Sequence, residues 1–362
     1  MSNTSTVTPQ LSWQIKIASL ICITLVLYIH CEFHDEIADM PFNCWLQRSI
    51  SYMIGTIAVP LFFCMSGFLF FVGVDPDRGG RIILNKMRRR VSSLLIPYLI
   101  ACAFLPLFQL ALSYIPAASQ FVNGRCMMAL QGTSIPEGLY KIFCVSDDGA
   151  PLNTPLWFLR NLIVIVALCP ILYQVRKLGS WVCVVFMALA LYFSAYYGIA
   201  RALFWFMLGS FFLARPLPRW SILLLVPFFA LRLFIWAPER WDTAILLLGI
   251  VGGWALMAEI AKATWRFREN FTLSALCTFT FFTYLFHTPT IHIFRKGIVF
   301  VLGPSSASYA ISYLLSPILY TIFSTAVAYA LARWTPGFFR VISGGRGLER
   351  MRVGTTEGKS GD

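Results

Sequence analysis

The chain consists largely of ten apolar runs, and a chain of repeated bilayer-length segments has few folds open to it. They span approximately 12–32, 51–74, 91–115, 156–174, 180–197, 200–214, 220–237, 243–261, 271–293 and 307–334, and are broken by charge, proline or glycine. A helix needs roughly 20 apolar residues to cross a bilayer. Within lipid every backbone polar group must be satisfied inside the segment, so such runs become helices. The sixth run is short for a span and shares its turn with the fifth. Composition agrees with the pattern. Charged residues make up only 12% of the chain and hydrophobic residues 58%, against a charged fraction of about 25% in soluble domains. The expected fold is an all-α, polytopic integral membrane helical bundle of about ten transmembrane helices.

The net charge of +13 raises the question of nucleic acid, but the cations do not form a continuous basic face. They occur in short clusters between the apolar runs, the pattern by which loops orient a membrane protein. An inside N-terminus puts most of the 29 lysines and arginines on the cytoplasmic side. The first outer loop is then acidic, with Glu32, Asp35, Glu36 and Asp39. Ten spans place both termini in the cytoplasm, and the partner is the lipid bilayer, not nucleic acid. The first run is too long for a signal peptide, and no small-x-small cleavage site follows it. No inverted repeat of the transporter kind is visible. The longest extramembrane segment is roughly 116–155, on the outer side. Residues 1–11 form a cytoplasmic N-terminal segment, and the basic, Gly-rich tail 337–362 is expected to be a solvated cytoplasmic end.

Most of the ten cysteines fall within spans, where cysteine is a soft apolar filler. Cys44, Cys126 and Cys144 lie in expected outer loops, and the sequence leaves any pairing among them open. No CxxC pair argues for a metal site.

Two histidines stand out against this background. His30 ends the first run, about 18 residues in, or roughly 27 Å from its inner end at 1.5 Å per residue. His287 lies about 16 residues into the ninth run, or roughly 24 Å by the same rise. Ionisable groups at such depth are costly and commonly mark a pathway or a reaction site. A lone membrane histidine is equally well read as a hydrogen-bonded packing residue. Two at matched depth on different helices favour a shared polar site. Neutral imidazole can take a proton from a hydroxyl and return it near neutral pH.

The second run carries Pro60-Leu61-Phe62-Phe63-Cys64-Met65-Ser66-Gly67-Phe68. Pro60 is expected to kink the helix, and Ser66-Gly67 marks a point of close helix approach. Lys86, Arg88, Arg89 and Arg90 crowd together just before the third run. Two readings fit this cluster equally: a charge anchor that sets topology, or a clamp for phosphate groups arriving from the cytoplasm.

Taken in order, these segments resemble the membrane acyltransferase 3 family over most of the chain. Leu25-Val26-Leu27-Tyr28-Ile29-His30 resembles its first-helix ending in a catalytic histidine. The Phe62-Phe63-Cys64-Met65-Ser66-Gly67 stretch is similar to its Phe-Phe-x-x-Ser-Gly signature. Arg88 to Tyr98, with Arg90, Leu94 and Pro97-Tyr98, resembles the basic start of its third helix. Pro155-Leu156-Trp157-Phe158-Leu159 is similar to its Pro-x-Trp-Phe-Leu motif, and Tyr284-Leu285-Phe286-His287-Thr288-Pro289 to its late-helix motif. One position departs. The family usually places an arginine eleven residues before the first-helix histidine, where this chain has Ser19; Lys16 lies three residues earlier, nearly one helical turn.

The resemblance implies a transmembrane acyltransferase domain over 12–336, in a multi-pass protein of a bacterial inner or plasma membrane. It implies transfer of an acyl group, usually acetyl, from cytoplasmic acyl-CoA to a hydroxyl of an extracytoplasmic glycan or similar acceptor. Acyl-CoA would be a substrate; no tightly bound cofactor and no metal is expected. His30 would be the general base, oriented by His287 or Tyr284. Arg88, Arg89, Arg90, Lys86 and Lys16 would hold the donor, and Trp157, Arg160 and Ser66 would line the acceptor side. Some members carry a fused soluble transferase domain; this tail is too short for one, and a separate extracytoplasmic partner could complete the transfer. The rival reading is a transporter or flippase for a glycan or small anion. Proton-coupled carriers place carboxylates in mid-membrane, and after the first run the apolar interiors carry almost no acid, Glu259 near the inner end of the eighth being the exception.

Overall fold

The computed structural model describes residues 7–75, 79–115, 125–194, 196–213, 215–234 and 239–347. The described residues are helical and contain no strand. In chain order the helices are α1 (Pro9–Ile29), α2 (Pro41–Phe71), α3 (Gly80–Ser113), α4 (Arg125–Leu130), α5 (Ile135–Phe143) and α6 (Thr154–Lys177). Then follow α7 (Ser180–Phe193), α8 (Gly198–Phe212), α9 (Leu225–Phe234), α10 (Glu239–Ala263), α11 (Phe271–Thr278), α12 (Thr280–Leu302), α13 (Ser306–Trp334) and α14 (Pro336–Ser343). Six of them, α1, α2, α3, α6, α10 from Asp242 and α13, are long and apolar enough to cross a membrane, while α7 and α8 are shorter apolar helices. The expected run 220–237 starts as a tight 3₁₀ turn, Arg219–Leu224, leading into α9. The run 271–293 is divided between α11 and α12. Of the outer segment 116–155, residues 116–124 lie outside the described residues, as does the tail from 348.

Two helices are wound unevenly where proline removes a donor. Pro60 offers no N–H to the Thr56 carbonyl one turn back, and the winding before it is π over Arg48–Ile54 and 3₁₀ over Gly55–Ile57. Pro97 likewise leaves the Ser93 carbonyl without its helical partner, and Val91–Leu95 form a π turn directly after the basic cluster.

The described chain divides into two compact units, one from 1–29, 47–88 and 164–277, the other from 30–46, 89–163 and 278 onward. In the first unit α2 packs on α8 and α1 packs on α10. A side chain at Gly67 would land on the Phe206 backbone, and one at Gly209 on the Cys64 backbone. Both glycines are therefore sites where two helices touch backbone to backbone, a common way for helices to associate in lipid. Trp13, Ile17, Ala261 and Cys277 form a buried cluster, and the Trp13 indole donates to Thr264 Oγ1 at 3.1 Å.

In the second unit α12 pairs with α13, and α3 packs against both α12 and α14. Buried hydroxyls lace the interior: Thr283 Oγ1 and Ser324 Oγ lie 2.8 Å apart, and Tyr320 donates to the Thr283 carbonyl at 3.2 Å. The start of the tail differs from its expected solvated state. Residues Pro336–Ser343 form α14 because their apolar side chains share one face, and Phe339 and Ile342 are buried. Gly344, at φ +62°, ends the helix in the left-handed conformation that glycine adopts without steric cost. None of the described cysteines is in a disulfide; Cys126 is buried, while Cys44 and Cys144 are exposed.

Candidate active site

The site is assembled within the second unit, at the end of α1 and the middle of α12. His30 is the first residue beyond α1, so it stands just past the helix end and not inside the regular span. His287 is buried at the point where α12 breaks: Thr288 has non-helical backbone angles (φ −99°, ψ 129°) and Pro289 follows. The two imidazole rings face each other with centroids 5.0 Å apart and planes tilted by 46°. The pairing inferred from matched depth is thus a direct juxtaposition.

The hydrogen bonds of His287 fix its tautomer. Nδ1 lies 2.6 Å from the Tyr284 carbonyl oxygen. A carbonyl can only accept, so Nδ1 carries the hydrogen and Nε2 presents a lone pair. That Nε2 is fully enclosed and has no hydrogen-bond partner among the described residues. Buried polar atoms in folded proteins are nearly always paired, so an unpaired basic nitrogen beside a second imidazole asks for an explanation.

Tyr284 serves this arrangement through its backbone. Its hydroxyl is already committed, donating to the Pro155 carbonyl at 2.8 Å, and its ring meets Phe158 edge-on at 5.8 Å. The Pro-x-Trp-Phe-Leu motif and the late-helix motif are therefore tied together physically. Thr283, one residue earlier, is held by Ser324 and Tyr320. The turn that presents His287 is clamped from both α6 and α13, which suits a group that must keep one orientation.

The residues expected to line the acceptor side are placed differently from one another. Arg160 commits its guanidinium to the loop before α6, donating to the Cys144 and Gly149 carbonyls at 2.9 and 3.1 Å and to Asn161 Oδ1. It shapes that loop. Trp157 is partly buried at the start of the same helix. Ser66 belongs to the first unit, beside the Gly67 contact.

The expected donor-side cations differ in exposure and in their partners. Lys86 donates to the Phe70 and Val72 carbonyls at 2.7 and 2.6 Å and so caps the end of α2. Arg88 and Arg89 are exposed, and Arg90 is partly buried. Lys16 is exposed, and Ser19, at the departing position, bonds back to the Ile15 carbonyl of its own helix at 2.7 Å. Glu259, the acid that bears on proton-coupled transport, is held by Lys262 at 2.6 Å and Arg219 at 3.2 Å.

Sequence reasoning passed over two residues beyond the break in α12. His292 lies within electrostatic reach of His30. Arg295 donates to the Glu32 carbonyl and stacks over the Phe33 ring at 4.5 Å, binding the loop after His30 to α12. The signal was their spacing: His287, His292 and Arg295, with Lys296, follow one another on a single largely apolar helix.

A family model described as an acyltransferase domain matches residues 15–333, and the chain belongs to the membrane acyltransferase 3 family. No curated protein and no solved structure matches the chain. The matched range includes both facing histidines and ends before α14.

Proposed function

We propose that this membrane acyltransferase moves an acyl group, acetyl in the usual case, from cytoplasmic acyl-CoA to a hydroxyl of an extracytoplasmic glycan or similar acceptor. The observation that carries the reading is the facing pair of imidazoles, one of them locked as a lone-pair acceptor. His30 is the general base. The acceptor oxygen attacks the thioester carbonyl carbon and its proton passes to one nitrogen of His30. The C–O bond forms, the C–S bond breaks, and His30 returns the proton to the departing thiolate. His287 is the positioning residue: its Nε2 lone pair accepts the other N–H of His30 and steadies the imidazolium that forms in a site poor in water. Apo geometry of this kind commonly tightens only with substrate present.

The same reading places the basic start of α3 at the cytoplasmic face, with ten crossings and both termini inside. Within the second unit α14 docks beside Ser93 of α3, which supports a C-terminus on the same side as the Arg88–Arg90 cluster. A reporter fused after Asp362 should register inside, and one in the 116–155 loop outside. An outside C-terminal signal overturns this topology.

The acceptor is tested by mass spectrometry of surface glycans from cells that lack the gene and are complemented by the wild type or by His30→Gln. An acyl-sized mass should appear with the wild type and stay absent with the variant. Equal acylation in the two strains would remove the glycan as acceptor.

A further inference from the structure

The turn after α14 carries a cation that nothing in the described protein neutralises. Arg346 sits between three glycines with positive φ, Gly344 (+62°), Gly345 (+80°) and Gly347 (+93°). The flanking glycines press this turn against two helices. A Cβ at Gly344 would come within 2.6 Å of the Ser93 carbonyl oxygen, and one at Gly347 within 2.8 Å of the Phe279 ring. Arg346 is therefore held against α3 and the start of α12, with its guanidinium carbon 3.5 Å from the centroid of the Phe281 ring.

Its Nη1 is fully enclosed and has no hydrogen-bond partner, and no carboxylate pairs with it among the described residues. Burial pushes the guanidinium down to about 9, and the neighbouring Arg90 adds repulsion. The enclosed, unused N–H of Arg346 beside a second guanidinium is an unfavourable arrangement unless an anion reaches it. Planar arginine forks match phosphate oxygens in particular. Phe279 is eight residues before His287 on the same stretch of chain, so this level lies roughly 12 Å from the histidine at 1.5 Å per residue.

We infer that Arg346 and Arg90 together form a phosphate site that holds a phosphate of the acyl-CoA donor. The inference rests on the donor reading above and extends it to a residue outside the matched domain. A tail segment thereby becomes part of the donor site.

Full-length protein in phosphatidylcholine nanodiscs, titrated calorimetrically with acetyl-CoA, provides the test. Arg346→Gln should weaken acetyl-CoA binding at least tenfold, while S-acetylpantetheine, which lacks the phosphates, binds the variant and the wild type alike. Arg346→Lys, which keeps the charge but not the fork, should fall between them. Without ligand, Arg346→Gln should melt no lower than the wild type, because it removes an unpaired cation. A lower melting temperature, or equal acetyl-CoA affinity in Arg346→Gln, overturns the inference and leaves the donor reading standing. A wild type that ignores acetyl-CoA but is stabilised through Arg346 by added phosphatidylglycerol or by inorganic pyrophosphate overturns both, and assigns the site to a lipid headgroup or to free phosphate respectively.

Discussion

The two units differ in their prominent contacts, although the first also has the Trp13–Thr264 hydrogen bond and the second the approach of Gly344 to Ser93. In the first, helices meet at glycines so closely that Gly67 and Gly209 leave no room for a β-carbon. In the second, hydroxyls and carbonyls pair in the interior, from Asn153 with the Ala101 carbonyl at 3.1 Å to Thr283 with Ser324 and Tyr284 with Pro155. Both solve the same problem, since lipid gives no hydrophobic drive for one apolar helix to prefer another. They differ in what they leave over. Backbone contact is indifferent to chemistry and produces only a fixed frame. A polar interior can orient side chains, and here it fixes one imidazole so that its basic nitrogen remains unused. The candidate site lies in the hydroxyl-laced unit for that reason.

The sharpest way to break this contrast is to remove the base. His30→Gln should lower acyl transfer by at least about 10²-fold, the usual lower bound for a positioned general base, with an unchanged melting temperature. Near-normal turnover in that variant would make the histidine pair a packing contact. Gly67→Val should have the opposite signature, a loss of about 1–3 kcal/mol of stability from overpacking, read as a lower melting temperature. A variant that melts like the wild type would show that the frame does not depend on backbone contact. Tyr284→Phe leaves the Pro155 carbonyl unpaired; it should cost between about 0.6 and 1.7 kcal/mol, the range for hydrogen bonds between membrane helices. Turnover should fall with little change in acyl-CoA affinity, because the turn carrying His287 loosens. The smallest effect is expected from Thr283→Val, about 0.6 kcal/mol. A larger loss there than at Gly67 would reverse the contrast between the units.

The sequence made the helical class and the histidine pair legible because both follow from costs that lipid imposes on every chain. Apolar length fixes the spans, and an ionisable group at depth needs a reason to be there. The uses of individual cations were not legible. Lys86 reads as part of a basic cluster, yet it caps α2 through two carbonyls. Arg160 reads as an acceptor contact, and its bonds to the Cys144 and Gly149 carbonyls are not announced by the sequence. A positive charge declares its sign in the sequence but not its partner, which here is a carbonyl from a distant segment. Arg346 escaped notice for a related reason. A Gly-rich basic stretch resembles a solvated tail, and only the packing of Phe339 and the contact of Gly344 with Ser93 turn it into a built corner. Pro289 announces the break inside α12, but nothing local announces the division of 271–293 into α11 and α12 at Phe279.

The break at Thr288 and Pro289 also bears on how such an enzyme can change. An unbroken helix behaves as a single shaft: a rotation at one end is carried to the other. Interrupting it between His287 and His292 cuts the shaft at the level of the facing imidazoles. Substitutions beyond Pro289 can then turn His292 or Arg295 toward a differently shaped acceptor without rotating His287 out of line with His30. On the proposed mechanism, selection can thus vary one segment while the segment carrying His287 stays fixed, and related chains with this interruption should diverge most in the stretch that follows it.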